Sequence, residues 1–314
     1  MRAALVSSKG MMTIMALENR QKDTGAVEST PPMSHASTRT FTREQIRLRE
    51  RYGPWAVVTG ASDGIGREFA ARLAEAGVNL VLAARRQELL DDVAKGLARA
   101  HEVQVEAMSI DLATPPGVAE LLARTRDRDV GLLIASAGFG TSGPFVEATL
   151  DEELGMIDVN CRAVAALSHA FGRRFVDRKR GGIVLMSSLV AFQGVPRAAN
   201  YAATKAYVQS FAEALRLELK PFGVDVVASA PGPIRSGFAA RASMTMGVAQ
   251  TPQDVAGPTL GALGRRGTVR PGWLSKLLEA ALVLLPRRGR VRMMGVVMAG
   301  MTKTQIAPVV RAPF

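Results

Sequence analysis

Between residues 55 and 228, short runs rich in Val, Ile and Leu alternate with stretches of helical periodicity, and this alternation admits few folds. Strands are expected at 55–59, 78–82, 103–110, 130–135, 182–186 and 224–228, with helices at 67–76, 87–100, 116–125, 152–177 and 201–220. Strands that are apolar throughout are buried on both faces, and a helix between successive strands makes their pairing parallel. The expectation is an α/β fold, a doubly wound parallel sheet. A short charged helix is expected just ahead of it, from Thr42 to Arg51, with Thr42 and Gln45 at capping-box spacing.

The turn after the first strand reads Thr59-Gly60-Ala61-Ser62-Asp63-Gly64-Ile65-Gly66. Glycines at this place let the backbone approach a pyrophosphate, and the free N–H groups of the following helix face that anion. The turn therefore points to a dinucleotide and to a Rossmann-like sheet. A carboxylate at the end of the second strand would accept from the adenosine ribose of NAD, but that strand ends Ala83-Ala84-Arg85-Arg86. Guanidinium groups suit a ribose 2′-phosphate, so NADP(H) is the expected cofactor, with Arg85 its main contact. Asp111, followed by Leu112, closes the third strand, where it either accepts from the adenine amino group or caps a turn.

Tyr201 and Lys205 are spaced i, i+4 on an expected helix, which brings an ammonium beside a phenol. A fixed cation, joined by an oxidised nicotinamide, favours the phenolate and lowers a pKa that is ordinarily near 10. Ser188 follows the fifth strand, where its hydroxyl can bond a substrate oxygen. A Tyr/Lys pair alone is a common surface feature and says little.

The ordered set of motifs says more. With Asn160 lying 28 residues before Ser188, the chain resembles the short-chain dehydrogenases/reductases of the branch marked by TGxxxGxG, Asn, Ser and YxxxK. The match runs from about Pro54 to Phe238 and includes Pro231-Gly232-Pro233-Ile234-Arg235-Ser236, similar to the family's PGxIxT segment over the nicotinamide, with Ser in place of Thr. The resemblance implies hydride transfer between NADP(H) and a carbonyl or secondary alcohol. It makes Tyr201 the proton donor, Ser188 the substrate-oxygen contact, Lys205 the ribose ligand and Asn160 the anchor of a proton relay. Around the cofactor it places the glycine turn, Asp111, Leu112, Ala137, Gly138, Tyr201, Lys205, Pro231, Gly232, Ile234 and Ser236. Where the family has Asn-Asn-Ala-Gly this chain has Ala135-Ser136-Ala137-Gly138, which removes amide hydrogen bonds between neighbouring sheet segments. Family members of this kind associate as dimers or tetramers, and a homo-oligomer is expected.

Charge narrows the partners. The formal net charge is +12, but residues 1–51 hold +4 and 264–314 hold +9, leaving −1 in residues 52–263. A nucleic-acid surface would put its basic stripe on the folded body, so none is expected. The single cysteine, Cys161, permits no internal disulfide, is read as a small buried hydrophobe, and suits a reducing cytoplasm. His35, His101 and His169 fall on separate elements, and no metal site is expected. The basic groups Arg173-Arg174 and Arg178-Lys179-Arg180 read as the solvated end of a helix.

Three segments follow from these readings: a disordered N-terminal extension, 1–41, the nucleotide-binding catalytic domain, 42–262, and a basic, helical C-terminal tail, 263–314. Residues 237–272 read as a mobile flap, and 273–285 as an amphipathic helix followed by Arg287-Arg288-Gly289-Arg290-Val291-Arg292. That tail either lies on an anionic membrane face or packs over the pocket or a partner subunit. Phe139, Phe145, Phe192, Phe238, Met244 and Met246 are the candidate pocket residues, and they imply an apolar substrate, a 3-oxoacyl thioester, lipid ketone or steroid-like alcohol. A second class stands beside the enzyme: a regulatory or scaffold protein that binds NADP with little catalysis.

Overall fold

A computed structural model describes residues 40–245 and 247–302. Seven strands, β1 (Trp55–Thr59), β2 (Asn79–Ala84), β3 (Val105–Ser109), β4 (Val130–Ala135), β5 (Gly181–Met186), β6 (Val224–Ser229) and β7 (Thr268–Val269), form one sheet in the order β3-β2-β1-β4-β5-β6-β7. Every pairing is parallel. The order reverses direction between β1 and β4, and the crevice beyond the carboxyl ends of these two strands is where such sheets bind ligands.

The strands are covered on both sides because alternate residues point to opposite faces. Ala56, Val58, Leu80, Leu82, Leu132 and Ile134 pack on one side against α1 (Arg43–Tyr52), α2 (Gly64–Glu75), α3 (Gln87–His101) and α9 (Gln253–Ala262). Val57, Val81, Leu133, Ile183, Leu185 and Val226 pack on the other against α4 (Pro115–Arg124), α6 (Val164–Asp177) and α7 (Ala199–Leu219). Each fully buried Val or Leu contributes about 1.5–3 kcal/mol relative to exposure, so the two-sided core fixes strand register. The remaining helices are α5 (Leu150–Ile157), α8 (Gly237–Arg241), α10 (Trp273–Val283) and α11 (Arg287–Met301). Helix α1 begins with the expected capping box: Gln45 N donates to Thr42 Oγ1 at 3.3 Å and Thr42 N donates to Gln45 Oε1 at 2.8 Å.

Four features depart from the sequence reading. The single helix expected over 152–177 is two helices, α5 and α6, joined by a π-helical turn at Asp158–Ala163 that contains Asn160. The expected flap is largely ordered: Val255, Ala256 and Leu260 of α9 are buried, despite Pro258 within that helix and glycines at 257 and 261. Packing has overridden weak propensity there. Strand β7 extends the sheet past residue 262, beyond the segment boundary drawn from the sequence. The arginines at the end of α6 are not simply solvated, because Arg174 donates to the carbonyls of Thr125 and Arg128, and Arg178 to that of Val130. They pin the α4–β4 connection, and Arg180 adds an ion pair to Asp129 at 2.7 Å.

Candidate active site at the carboxyl edge of the sheet

The glycine turn is built as its sequence requires. Gly60 has φ +69° and Gly64 φ +55°, left-handed values that glycine adopts without strain. A Cβ on Gly60 would stand 2.8 Å from the Ala137 Cα, so this backbone approaches the β4 end too closely for any side chain. Asp63 caps α2, its carboxylate accepting from Gly64 N at 2.7 Å. The first turn of α2 thus faces the crevice, and the cradle fits a dinucleotide pyrophosphate.

Without the family's asparagines, the end of β4 is tied to β1 by Thr59, the first residue of the glycine turn. Thr59 Oγ1 accepts from both Ser136 N and Ala137 N at 3.0 Å and donates to the Ile134 carbonyl at 3.4 Å.

Helix α7 carries Tyr201 and Lys205 one turn apart, with the ammonium 5.7 Å from the phenol ring centre. Lys205 Nζ donates to the Met186 carbonyl at 2.9 Å, and burial lowers its pKa from 10.5 to about 8. Tyr201 moves the other way: burial pushes the phenol up to about 12, and a hydrogen bond with Ser188 partly offsets this. The sequence reading assigned the lowering to Lys205. Here the hydroxyl of Ser188 is the group that lowers it, and desolvation outweighs it. Ser188 caps the short turn Leu189–Phe192 just past β5, its Oγ accepting from Val190 N at 3.4 Å.

Asn160 stands slightly apart. Its side chain is buried, accepts from Phe139 N at 3.2 Å, and donates to the Phe139 carbonyl at 2.9 Å and to Thr204 Oγ1 at 3.0 Å. It clamps the loop after β4 to α7, directly behind Tyr201. Gly138 must lack a side chain for this, because a Cβ there would meet Asn160 Oδ1 at 2.9 Å. A second buried clamp went unread in the sequence. The Glu153 carboxylate accepts from Thr141 Oγ1 at 2.6 Å and from Asn200 Nδ2 at 2.7 Å, fixing the residue before Tyr201.

A cavity of about 690 Å³ runs from the glycine turn to Ser188, Tyr201 and Lys205. Of the residues assigned above to the cofactor, all line it except Thr59 and Ala61 of the glycine turn; Ser188 and Arg241 line it too, whereas Asn160 does not. Asp111 faces the cavity while its carboxylate accepts from Ala113 N at 3.0 Å, so it serves as a turn cap. Arg86 leans on Ser62 at 3.3 Å and Asp63 at 3.8 Å, while Arg85 is exposed with no ion pair among the described residues. Arg241, on α8, lies over the Phe139 ring at 4.0 Å. Burial lowers its pKa, and the charges of Arg85 and Arg86 lower it further. Arg85, Arg86 and Arg241 thus all line the cavity within electrostatic range of one another, with Arg241 reaching to the Phe139 ring. Sequence reading missed Arg241 because it falls in the segment read as a flap.

Phe139, Phe238 and Met244 line the cavity as expected, and the Tyr201 and Phe238 rings lie 5.3 Å apart. Phe145 and Phe192 do not: Phe145 is exposed and Phe192 lies under the Arg270 guanidinium. Met246 is outside the described residues. Further apolar wall comes from α10 and α11, including Leu278, Leu282, Met294, Met298 and Met301. Of the readings open for the tail, packing over the pocket is realised. Cys161 is only half-buried, and burial raises its thiol pKa, which leaves it a poor nucleophile.

Comparison with known proteins agrees with this geometry. The profile of the short chain dehydrogenase family matches residues 54–246. The 7beta-hydroxysteroid dehydrogenase of Mediterraneibacter gnavus is 26% identical over 244 residues, 74% of this chain and 90% of that protein. The inactive hydroxysteroid dehydrogenase-like protein 1 of Homo sapiens is 34% identical over 187 residues, 59% of this chain and 57% of that one. Among solved structures, a short-chain dehydrogenase from Sphingobium yanoikuyae in complex with NADPH superposes with TM-score 0.68 at 30% identity, covering 83% of this chain and 99% of the other. The sheet order, the glycine turn and the Ser188–Tyr201–Lys205 cluster have the same meaning as the profile match: the chain belongs to the short-chain dehydrogenase family, whose members are oxidoreductases.

Proposed function

We propose that the protein is an NADP(H)-dependent oxidoreductase that interconverts a carbonyl and a secondary alcohol on an apolar, lipid- or steroid-like substrate. The observation that carries the reading is the convergence of Tyr201, Ser188 and Lys205 on one cavity, with the glycine cradle at one end and an apolar wall at the other. Bound in that cradle, the cofactor supplies the hydride. Gly60, Gly64 and the first turn of α2 would hold its pyrophosphate, and Ile234 and Ser236 would lie over its nicotinamide. Lys205 would hold the ribose next to it.

The chain's own part is to hold the substrate oxygen and to move one proton. Ser188 Oγ and the Tyr201 phenol both donate to that oxygen, and Tyr201 passes its proton to it as the alcohol forms. A phenol held up near 12 is protonated at neutral pH and so is poised to act as the proton donor in the reductive step. Asn160 positions the Phe139 loop and α7, so that the phenol keeps its aim. The apolar rim of methionines and leucines excludes water from the reacting atoms.

Arg85 with Arg86 and Arg241 supports NADP(H) over NAD(H), because an anion placed among three cations relieves their mutual repulsion. The NADPH-bound neighbour adds support. An apolar substrate is supported by the Met- and Leu-lined wall and by the hydroxysteroid activity in the name of the bacterial relative. A homo-oligomer is part of this reading, supported by exposed Leu150, Leu154 and Ile157 at helical spacing on α5, and light scattering tests it.

One observation favours the second reading, an NADP-binding protein with little catalysis: the human relative is named inactive. NADPH consumption against a panel of apolar ketones separates the two. Turnover of any bulky apolar ketone that is lost in Tyr201→Phe supports the enzyme. NADPH binding with no turnover across the panel supports the second reading, and reduction of small charged ketones alone contradicts the apolar substrate.

A further inference from the structure

The pair α10–α11 has two apolar faces, and the cavity uses only one of them. On α10 and at the residue that ends it, Trp273, Leu277 and Leu284 are 64%, 57% and 85% exposed. At 100° per residue they fall within a stripe narrower than one quarter of the helix. None of them lines the cavity. On α11 Val296 is 73% exposed, and Met293 and Val297 are both exposed and part of the cavity lining. Met293 and Val297 of α11 therefore border both the cavity and the outside.

The charge around this surface has one sign. From residue 280 to the carboxyl terminus the chain holds no Asp or Glu. Arg287, Arg288 and Arg292 are exposed with no ion pair among the described residues. Arg290 is engaged, donating to the carbonyls of Leu285 and Val283 at the end of α10. Glu279, the one acid on α10, is paired with Arg270 at 2.6 Å. An exposed apolar stripe with a Trp at one end and unpaired arginines at the other matches an anionic bilayer surface, which offers phosphate and carboxylate headgroups above hydrocarbon. A protein partner would need a strip of acids beside a greasy groove, whereas a bilayer presents both everywhere.

We infer that the outer face of α10–α11 docks on an anionic lipid surface and that Met293 and Val297 mark a portal through which an apolar substrate passes directly between bilayer and cavity. The docking stands on the exposed stripe and the unpaired arginines. The portal rests in addition on the apolar-substrate reading proposed above.

The test uses the full chain with vesicles of phosphatidylcholine, with and without phosphatidylserine. One variant combines Trp273→Ala, Leu277→Ser and Leu284→Ser, and a second combines Arg287→Ser, Arg288→Ser and Arg292→Ser. The wild type is expected to float with anionic vesicles at low salt and to be released as salt rises. Each variant should bind those vesicles at least about tenfold more weakly while keeping wild-type NADPH affinity and melting temperature. Reduction of a ketone dissolved in the vesicles should slow in the stripe variant, with a water-dispersed ketone unaffected. Docking is overturned if the wild type ignores anionic vesicles or if both variants bind as it does. It is also overturned if the stripe variant only converts a dimer to a monomer, which would make the face a contact between two copies. Vesicle binding without any turnover would retain docking and remove the enzymatic reading, so the two failures are distinct.

Discussion

Replacing Asn160 by alanine tests how the loop behind the catalytic tyrosine is held. The side chain is 1% exposed and makes three hydrogen bonds, to Phe139 N, the Phe139 carbonyl and Thr204 Oγ1. A net 0.5–1.5 kcal/mol for each, with Phe139's polar groups left to find water, puts the loss of stability at about 2–4 kcal/mol. For a domain of this size that lowers the melting temperature by roughly 5–15 °C. Asn160→Asp should be worse at neutral pH. It loses the Nδ2 donor and sets a buried carboxylate against the Phe139 carbonyl and against Thr204 Oγ1, whose own hydrogen goes to the Tyr201 carbonyl. Its deficit should shrink as pH falls and the carboxylate takes a proton. Equilibrium urea denaturation of the protein alone reads these differences. A loss below about 0.5 kcal/mol for Asn160→Ala would refute the clamp, because an Asn that merely anchors a relay water would leave the folded protein's stability unchanged.

Three further outcomes are expected. Arg85→Ala should cut the preference for NADPH over NADH by about tenfold or more, and equal affinities in the wild type would remove the phosphate argument. Lys205 is depressed to about 8 against an ordinary 10.5, so unfolding takes up a proton between these values. The cost of burying its charge is thus fully present below pH 8 and is relieved as pH rises toward 10.5. Relative to Lys205→Met, the wild type should gain stability from pH 8 to 10, read by urea denaturation below the range where Tyr201 ionises. A flat difference would contradict the burial. Gly60→Ala places a Cβ at φ +69° and 2.8 Å from Ala137, so it should cost about 1–3 kcal/mol in stability and weaken NADPH binding strongly. Calorimetry of wild type and variant measures both.

Most of the first six strands were legible because continuous Val, Ile and Leu runs next to glycine have few other meanings, and each of the six was found within a few residues of its expected place. The glycine turn was legible for a similar reason: glycine positions are dictated by backbone geometry, and Gly60 and Gly64 do adopt left-handed conformations. What was not legible depended on direction or on tertiary partners. A π-helical turn at Asp158–Ala163 changes hydrogen-bond register without changing composition, so the helix around Asn160 read as continuous. Phe145 and Phe192 are apolar by type, but nothing in the sequence states which way they point, and both miss the cavity. Helix α9 was hidden by Pro258 and its neighbouring glycines and exists because α2 and the sheet cover Val255 and Leu260. The methionine wall from α11 had a visible composition, but its place over the pocket depends on how the chain returns after β7.

The central claim is that Tyr201 gives the proton while the rest of the cavity binds and positions. The most direct measurement is NADPH consumption with a bulky apolar ketone by wild type and Tyr201→Phe, alongside NADPH titration of both proteins. Phenylalanine keeps the ring against Phe238 and removes only the hydroxyl. Turnover should fall by about 10²–10⁴-fold in Tyr201→Phe with cofactor affinity nearly unchanged. Retention of more than a few per cent of wild-type turnover, at equal NADPH affinity, would contradict it.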